Sequence, residues 1–369
     1  MTRGRSHFGK TLLRILIGVL LLAWIFHVIF RNEARQLAQQ EGIDWTQWSR
    51  GEQWEQAWTH GPSALWQTLS LVPPGILAVS LLLMGLTILL GVARWSLALQ
   101  AQGLVLGGRR ALEISLVAHF FNSFLLGSTG GDLMKAYYAA REARHKKTEA
   151  VLTVFVDRLV GLWAMLLFAG MMLIPNVPLI MRSEPIRILA LVMVAMLGTC
   201  TILVVVAFYG GVSRGWAGAR VWLRRLPKGE WLERSLDSCR RFGKTPGFLV
   251  RTTSLSMALN FMAVLQVQVL SRGLGESVPF MAMLAIVPMI ICLSAIPITP
   301  SGLGVRENLF VLTLATPALG VPATAALSLS LLTFAGSLFW SLMGGAVYLG
   351  LKQRHHLDDK ELAVPGAQE

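Results

Sequence analysis

The sequence predicts an all-α polytopic membrane protein, and its composition and the length of its apolar runs carry that prediction. Hydrophobic residues make up 54% of the 369 residues and charged residues only 14%, with a mean hydropathy of +0.58. A soluble domain carries about 25% charged residues. Several apolar windows exceed the roughly 18 residues that indicate a transmembrane helix. A soluble globular fold is therefore excluded.

Apolar runs of sufficient length predict about six full transmembrane helices, at roughly 11–30, 69–92, 149–174, 186–209, 251–271 and 322–350. The first run is long for a signal peptide and has no small-residue cleavage site, so we interpret it as a retained helix. Two further regions, 111–145 and 279–318, are apolar at both ends but are interrupted by GSTGGD and PITPSGLGVREN. The tryptophan-rich segment 31–68 is predicted to be a loop at the outer interface.

Basic residues in the loops indicate the orientation. Four basic residues and no acid precede residue 15, and the basic loop 210–250 has nine basic residues against three acids. Both segments are therefore expected in the cytoplasm, as is the short tail 351–369.

The loop 210–250 also resembles a basic amphipathic surface helix on anionic headgroups, although topology control explains it equally well. The net charge is +13, and the basic residues lie beside the apolar spans. This placement favours anionic lipids over nucleic acid as the partner of the protein. We expect a bacterial cytoplasmic (inner) membrane location with both termini inside.

The same charge pattern predicts two re-entrant helical hairpins. Region 111–145 has basic residues on both flanks, so it is expected to enter and leave on the cytoplasmic side. Its first arm, 111–126, would be about 24 Å long as a helix, which is short of the roughly 30 Å hydrocarbon core. Region 279–318 would then begin and end outside. The alternative is eight ordinary spans, two of them kinked at glycine.

The order of elements predicts an inverted repeat. Residues 1–174 would form the first membrane repeat, with its hairpin at 111–145. Residues 175–350 would form the second, inverted repeat, with its hairpin at 279–318. Inverted repeats with broken elements near the midplane are typical of transporters.

Several kinds of catalytic site are not indicated. Three cysteines lie far apart and suggest neither a disulfide framework nor a zinc site: Cys200, Cys239 and Cys292. The sequence has no Walker loop, HExxH, GxSxG or dinucleotide-binding glycine fingerprint. We therefore predict no cofactor, no metal and no catalytic residue.

The first break combines backbone amides, hydroxyls and charges. A helix that begins inside a low-dielectric region attracts anions, and Lys135 adds a full positive charge one turn later. Asp132 is predicted to cap the second arm, with substrate or proton handling as a second role. The predicted substrate-binding residues here are Ser128, Thr129, Gly130, Gly131, Asp132 and Lys135.

The second break has similar chemistry. Arg306 is the strongest candidate for a headgroup contact, because the guanidinium fork suits phosphate geometry. The alternative is an ion pair of Arg306 with Glu307 or Asp132 that merely makes its burial tolerable. The predicted substrate-binding residues here are Ser301, Gly302, Gly304, Arg306, Glu307 and Asn308.

Asp157 and Arg158 complete the predicted substrate-binding set, about two turns into the span 149–174. Adjacent helical residues point about 100° apart, so the two cannot face one partner. Asp157 is expected to meet Lys135, Arg94 or Arg306. Arg158 is expected either to face the bundle interior or to reach the cytoplasmic surface.

The sequence supports less specific interpretations of three other polar residues. Arg94 is interpreted as a positive-inside anchor at the inner end of its span. His119 and Asn122 are expected to face the hairpin interior. A lone histidine in a membrane span indicates a satisfied core group rather than a metal ligand.

Three segments in order, FFNSFLLGSTGGDLMKAYYAAR, VFVDRLVGL and ITPSGLGVREN, resemble the lysylphosphatidylglycerol synthetase transmembrane region family. The resemblance extends over roughly 10–350. This family is the flippase-like domain of the multiple peptide resistance factor, and it also occurs in stand-alone form, sometimes beside glycosyltransferases. Only about 17 residues follow Lys352, so the resemblance implies the stand-alone form without the aminoacyltransferase domain. The first tip differs from relatives, which often have proline before the glycines, whereas this chain has Gly127 and Ser128.

The resemblance implies translocation of an anionic or aminoacylated phospholipid, or of a related lipid phosphate, between leaflets. Transport would either equilibrate lipids or couple to protons through a carboxylate. The alternatives left open are an intramembrane transferase on a lipid-linked substrate and an accessory protein that holds a glycosyltransferase or lipid-modifying enzyme at the membrane. Homodimerisation is left open as well.

Overall fold

The computed structural model describes residues 27, 30, 31, 34, 35, 38, 42–124, 129–143, 146–208, 241–295 and 305–361. Eleven α-helices have both ends within these residues, a short 3-10 helix spans Trp45–Gln47, and the described part contains no strand. In chain order the helices are α1 Arg50–Leu71, α2 Pro74–Ala101, α3 Gly108–Phe124, α4 Thr129–Glu142, α5 Lys147–Leu173, α6 Val177–Arg182, α7 Glu184–Phe208, α8 Phe248–Gly273, α9 Phe280–Ser294, α10 Val305–Leu314 and α11 Ala323–Glu361.

Five helices are long and apolar enough to cross a membrane: α2, α5, α7, α8 and the stretch Ala325–Gly350 of α11. They correspond to five of the six predicted spans, and the all-α polytopic prediction is confirmed. Most of the remaining span, 11–30, lies outside the described residues. Predicted span 69–92 begins later, at Pro74, because two consecutive prolines separate α1 from α2 and Pro74 occupies the first turn of α2.

The prediction of a loop over 31–68 is wrong, because α1 occupies much of this segment. Its start has the reciprocal hydrogen bonds of a capping box: the Ser49 amide donates to Glu52 Oε2 at 2.7 Å, and the Glu52 amide donates to Ser49 Oγ at 3.4 Å. Hydrogen bonding to the side chain and the amide of Ser49 lowers the pKa of the Glu52 carboxyl. Trp58 Nε1 donates to His27 Nδ1 at 3.0 Å, which ties α1 to the helical residues before it.

Helices α3 and α4 form an antiparallel hairpin. Near one end, Arg110 of α3 bonds Glu142, the last residue of α4, through Nε at 2.7 Å and Nη2 at 2.6 Å. Near the tip, the Gly131 amide donates to Asn122 Oδ1 at 2.9 Å. The arms have 17 and 14 residues and so measure about 25 and 21 Å, each less than a roughly 30 Å hydrocarbon core.

Helices α9 and α10 occupy the second broken region and pack against each other. Of the 15 residues of α9, eleven are buried, so this arm lies inside the helical bundle. Its apolar side chains belong to the main core, together with residues of α5, α7 and α10.

Helix pairings in the first half recur in the second. α3 packs on α11 as α9 packs on α5, α4 packs on α5 as α10 packs on α11, and α2 packs against α8. This is the contact pattern that two related four-helix units would produce. The repeat boundary near residue 174 and the opposite orientation of the halves stay predictions.

Candidate functional site

The centre of the candidate site is a buried charge cluster, which we call the first cluster and define as Arg94, Lys135 and Asp157. Asp157 Oδ1 accepts a hydrogen bond from Arg94 Nε at 2.8 Å. Its other oxygen, Oδ2, accepts from Lys135 Nζ at 3.2 Å. Two cations thus surround one carboxylate, which leaves one formal positive charge. The structure shows two partners of Asp157, Arg94 and Lys135, and both are among the partners expected from the sequence.

Arg94 reaches the cluster from α2, and it is not the surface anchor that its position suggests. Besides Asp157, its Nη1 donates to Ser256 Oγ of α8 at 3.0 Å. Gly161 of α5 makes room for it, since a Cβ at that position would lie 2.6 Å from Arg94 Nη1. The anchor interpretation is wrong because the guanidinium turns inward, where a carboxylate satisfies it.

Lys135 comes from the second arm of the first hairpin and lies over an aromatic ring. Its Nζ is 4.3 Å from the ring centroid of Trp95, a cation–π contact. The indole Nε1 of Trp95 donates to Thr153 Oγ1 at 3.2 Å, which fixes the ring beneath the ammonium group. Trp95 is fully buried, so α2 and α5 together position Lys135.

A second ion pair lies beside the first cluster, between α4 and α5. Arg158 Nε of α5 is 3.5 Å from Asp132 Oδ2 of α4. Asp157 and Arg158 therefore meet different partners, as the 100° separation predicts. The Arg158 guanidinium contacts a carboxylate across the α4–α5 interface, and its side chain is 46% exposed. Asp132 lies in the first turn of α4, and its predicted capping bond stays a prediction.

Asn122 faces the hairpin interior, as expected, whereas the expectation is wrong for His119, which faces α11. Asn122 Oδ1 accepts the Gly131 amide in the first turn of α4. A Cβ at Gly131 would collide with the carbonyl oxygen of Ala118, so glycine is needed for the arms to approach this closely. The ring of His119 is bonded through Nε2 to the Ser337 carbonyl of α11 at 3.2 Å.

The second cluster, Arg306, Glu307 and Ser330, has balanced charge. Arg306 Nη2 donates to Glu307 Oε1 at 2.8 Å, and Arg306 Nε donates to Ser330 Oγ at 3.2 Å. Ser330 Oγ in turn donates to Glu307 Oε1 at 3.3 Å. The guanidinium carbon is 4.7 Å from the Phe334 ring centroid. This is the Arg306–Glu307 pair foreseen as the alternative to a headgroup contact.

The structure brings Asp132, Lys135, Asp157 and Arg158 together at the α4–α5 interface. Four other predicted residues lie outside the described part of the chain: Ser128, Ser301, Gly302 and Gly304. Thr129 and Gly130 begin α4, and Asn308 lies in the first turn of α10. Among the described residues, no group of three His, Cys, Asp or Glu side chains could hold a metal ion.

Sequence reasoning missed the neutral residues that position the charges: Trp95, Thr153, Ser256, Ser330 and Phe334. Serine, threonine and aromatic residues are common in transmembrane helices, so their type alone carries no signal. One signal was present for Arg94, because it stands beside a tryptophan inside the run LLGVARWSLAL.

Comparison with known proteins shows similarity to a family model and to a curated membrane protein. The family model described as lysylphosphatidylglycerol synthase TM region matches residues 54–344. A UPF0104 membrane protein from Methanothermobacter thermautotrophicus is 22% identical over 271 residues, which covers 68% of this chain and 78% of that protein. The family match includes both clusters and the Asp132–Arg158 pair.

Proposed function

This chain belongs to the lysylphosphatidylglycerol synthase TM region family, and on that premise we propose that it is a lipid translocator. Its substrate would be an anionic or aminoacylated phospholipid, or a related lipid phosphate, which it moves between the leaflets of a bacterial cytoplasmic membrane. The observation that carries the proposal is the surplus positive charge of the first cluster, counted over the residues that the structure describes.

The depth of the first cluster supports this function. Lys135 stands seven residues before the end of α4 and Asp157 ten residues after the start of α5. At 1.5 Å per residue these positions are about 10 and 15 Å from the helix ends. Charges at such depth are costly and mark pathways. An anionic headgroup would neutralise the surplus cation. A lipid phosphate would therefore be stabilised in the middle of the protein.

The hydrogen bonding of the carboxylates favours binding over transferase chemistry. Both oxygens of Asp157 accept bonds from cations, and Glu307 accepts from Arg306 and Ser330. These bonds hold both carboxylates towards cations and a hydroxyl of the protein itself. The site is suited to recognising a charged headgroup, and a transferase is the outcome to consider if translocation is absent.

The orientation is part of the proposal. We place the termini and the open end of the α3–α4 hairpin in the cytoplasm, with α9 and α10 entering from the opposite side. The first cluster would then serve headgroups that arrive from the inner leaflet. Both halves would meet near the midplane as an inverted repeat.

Lipid translocation in reconstituted vesicles tests the function. Fluorescent phosphatidylglycerol and phosphatidylcholine would be followed by dithionite quenching, with wild type compared with Lys135→Met. The matched control is Lys147→Met, because Lys147 is exposed at the start of α5. Loss of one buried charge contact of about 1.5–3 kcal/mol predicts at least roughly tenfold slower phosphatidylglycerol translocation.

The expected pattern is rapid phosphatidylglycerol translocation by wild type and Lys147→Met, and slow translocation by Lys135→Met. Folding is checked by gel filtration and thermal unfolding in detergent. If the folded wild-type protein moves neither lipid faster than empty vesicles do, the proposal is wrong, and lipid-linked transferase substrates would be tested next.

A further inference from the structure

We propose that headgroups enter the protein sideways, through a lateral portal between α4 and α5 whose latch is the Asp132–Arg158 ion pair. This inference rests on the proposed function, and it assigns the route by which the lipid reaches the first cluster. The ligand class is a phospholipid with an anionic phosphate, whose tails stay in the bilayer while its headgroup displaces Asp132 from Arg158.

The interface between α4 and α5 has two ion pairs in neighbouring turns. In α4, the acid Asp132 precedes the base Lys135 by three residues, and in α5 the acid Asp157 is next to the base Arg158. Each acid meets the base of the other helix, with Lys135–Asp157 at 3.2 Å and Asp132–Arg158 at 3.5 Å. A path across this interface therefore passes two cations in succession.

The two pairs differ in exposure, which gives the path a direction. The side chains of Lys135 and Asp157 are 11% and 8% exposed. Those of Arg158 and Asp132 are 46% and 29% exposed. The outer pair is therefore accessible from outside the bundle, whereas the inner pair, which Arg94 completes, is more deeply buried.

The surroundings of the outer pair are apolar and face outward. Leu133 and Tyr137 on α4 are exposed, as are Val151 and Phe155 on α5. These side chains suit contact with acyl tails. A half-exposed ion pair among them would meet hydrocarbon unless a polar group covers it, and exposed charge in hydrocarbon is costly.

The position of the pair along α5 argues against an ordinary interfacial role. Arg158 stands two residues before the middle residue of α5, which is one of the helices able to span the membrane. A guanidinium at mid-span, turned towards a carboxylate on the next helix, is not an anchor for surface headgroups. A lipid phosphate that enters from the side would supply the charge it lacks whenever Asp132 moves away.

Displacement at the latch exchanges one anionic partner of Arg158 for another. Arg158 gives up one carboxylate oxygen at 3.5 Å and gains a phosphate, whose geometry matches the guanidinium fork. Asp132, released, lies one turn from Lys135. The phosphate can then pass to the inner cations, where the first cluster has its surplus positive charge.

Site-specific lipid photo-crosslinking in the full chain tests the portal. The variant Leu133→p-benzoylphenylalanine places the probe on the exposed face of α4 beside Asp132. Val194→p-benzoylphenylalanine is the control, because Val194 is exposed near the middle of α7. Both are reconstituted in vesicles of equal phosphatidylglycerol and phosphatidylcholine content, and mass spectrometry gives the ratio of the two lipids in the adducts.

We expect the phosphatidylglycerol share at position 133 to exceed that at position 194 by about threefold, the size of one half-exposed charge contact. Adding Arg158→Gln should abolish the enrichment, Arg158→Lys should keep most of it, and Asp132→Asn should increase it by removing the competing carboxylate. If Arg158 and Asp132 only packed the two helices together, Arg158→Gln and Asp132→Asn would not change lipid selectivity in opposite directions.

Equal adduct ratios at positions 133 and 194 would overturn the portal. The result is separable from the proposed function, because crosslinking reports binding and dithionite quenching reports transport. Enrichment without translocation would keep the portal and refute transport. Translocation without enrichment would refute the portal and place the entry route elsewhere.

Discussion

Each of the two charge clusters contains an arginine, but the two arginines have different charge environments. Near the first hairpin, Arg94 and Lys135 share Asp157, so one positive charge is left over. In the second, Arg306 is matched by Glu307 and is also held by Ser330 and the face of Phe334. The first cluster is therefore suited to binding an anion reversibly, whereas the second cluster is already neutral.

This difference separates ligand binding from structural support. A buried pair with complete partners makes a charged residue tolerable but offers little to a ligand. A buried group with two cations and one anion gains free energy when an anion arrives. We infer that the first cluster binds the headgroup and that the second holds α10 against α11, which contains Ser330 and Phe334.

Asp157→Asn should have the largest effect on stability, because it leaves two buried cations without their carboxylate. Breaking a buried ion pair from one side costs about 3–5 kcal/mol. Glu307→Gln is the matched variant, and it should cost less because Arg306 keeps Ser330 and Phe334. Unfolding midpoints in detergent would check the order. Equal losses would show that the two clusters are energetically alike.

Gly161→Ala should have the next largest effect, because the new Cβ would press on the Arg94 guanidinium. The side-chain end can move, so we expect overpacking of about 1–2 kcal/mol together with slower phosphatidylglycerol translocation. Gly198→Ala in α7 is the control, since nothing lies within 4 Å of its Cβ. If Gly161→Ala behaved like the control in both assays, the geometry of Arg94 would not matter for transport.

The smallest effects should come from the two serines that hold the arginines. Ser256→Ala and Ser330→Ala each remove one hydroxyl that bonds a guanidinium, at a cost of about 1 kcal/mol in stability. The rate of phosphatidylglycerol translocation should distinguish the two variants. Ser256→Ala is expected to slow phosphatidylglycerol and Ser330→Ala to leave its rate nearly unchanged once folding is equal. The reverse order would assign headgroup binding to the second cluster.

Much of the fold follows from the sequence, because a bilayer demands long apolar runs. Five predicted spans appear close to their expected positions. The helix α1 was missed, since its tryptophans and acids resemble an interfacial loop, and its capping box at Ser49 and Glu52 was overlooked. The late start of α2 follows from Pro73 and Pro74, which hydropathy alone does not register.

The site was only partly predictable. Charges in the span 149–174 indicated interior partners, and the helical angle between Asp157 and Arg158 indicated two different ones. Arg94 was misread because a basic residue near the end of a span is usually an anchor, and sequence does not say which way that helix is turned. Helix packing decides the turn, and it depends on contacts such as that at Gly161, far away in the chain.

The most direct test of the account measures the ratio of phosphatidylglycerol to phosphatidylcholine translocation rates while the charge of the first cluster is varied. Lys135→Met makes the cluster neutral, and Lys135→Met combined with Asp157→Asn restores one positive charge on Arg94. We predict that the single variant loses the preference for phosphatidylglycerol and that the double variant regains it. A double variant no more selective than Lys135→Met, with both proteins folded, would contradict the claim that surplus positive charge selects the headgroup.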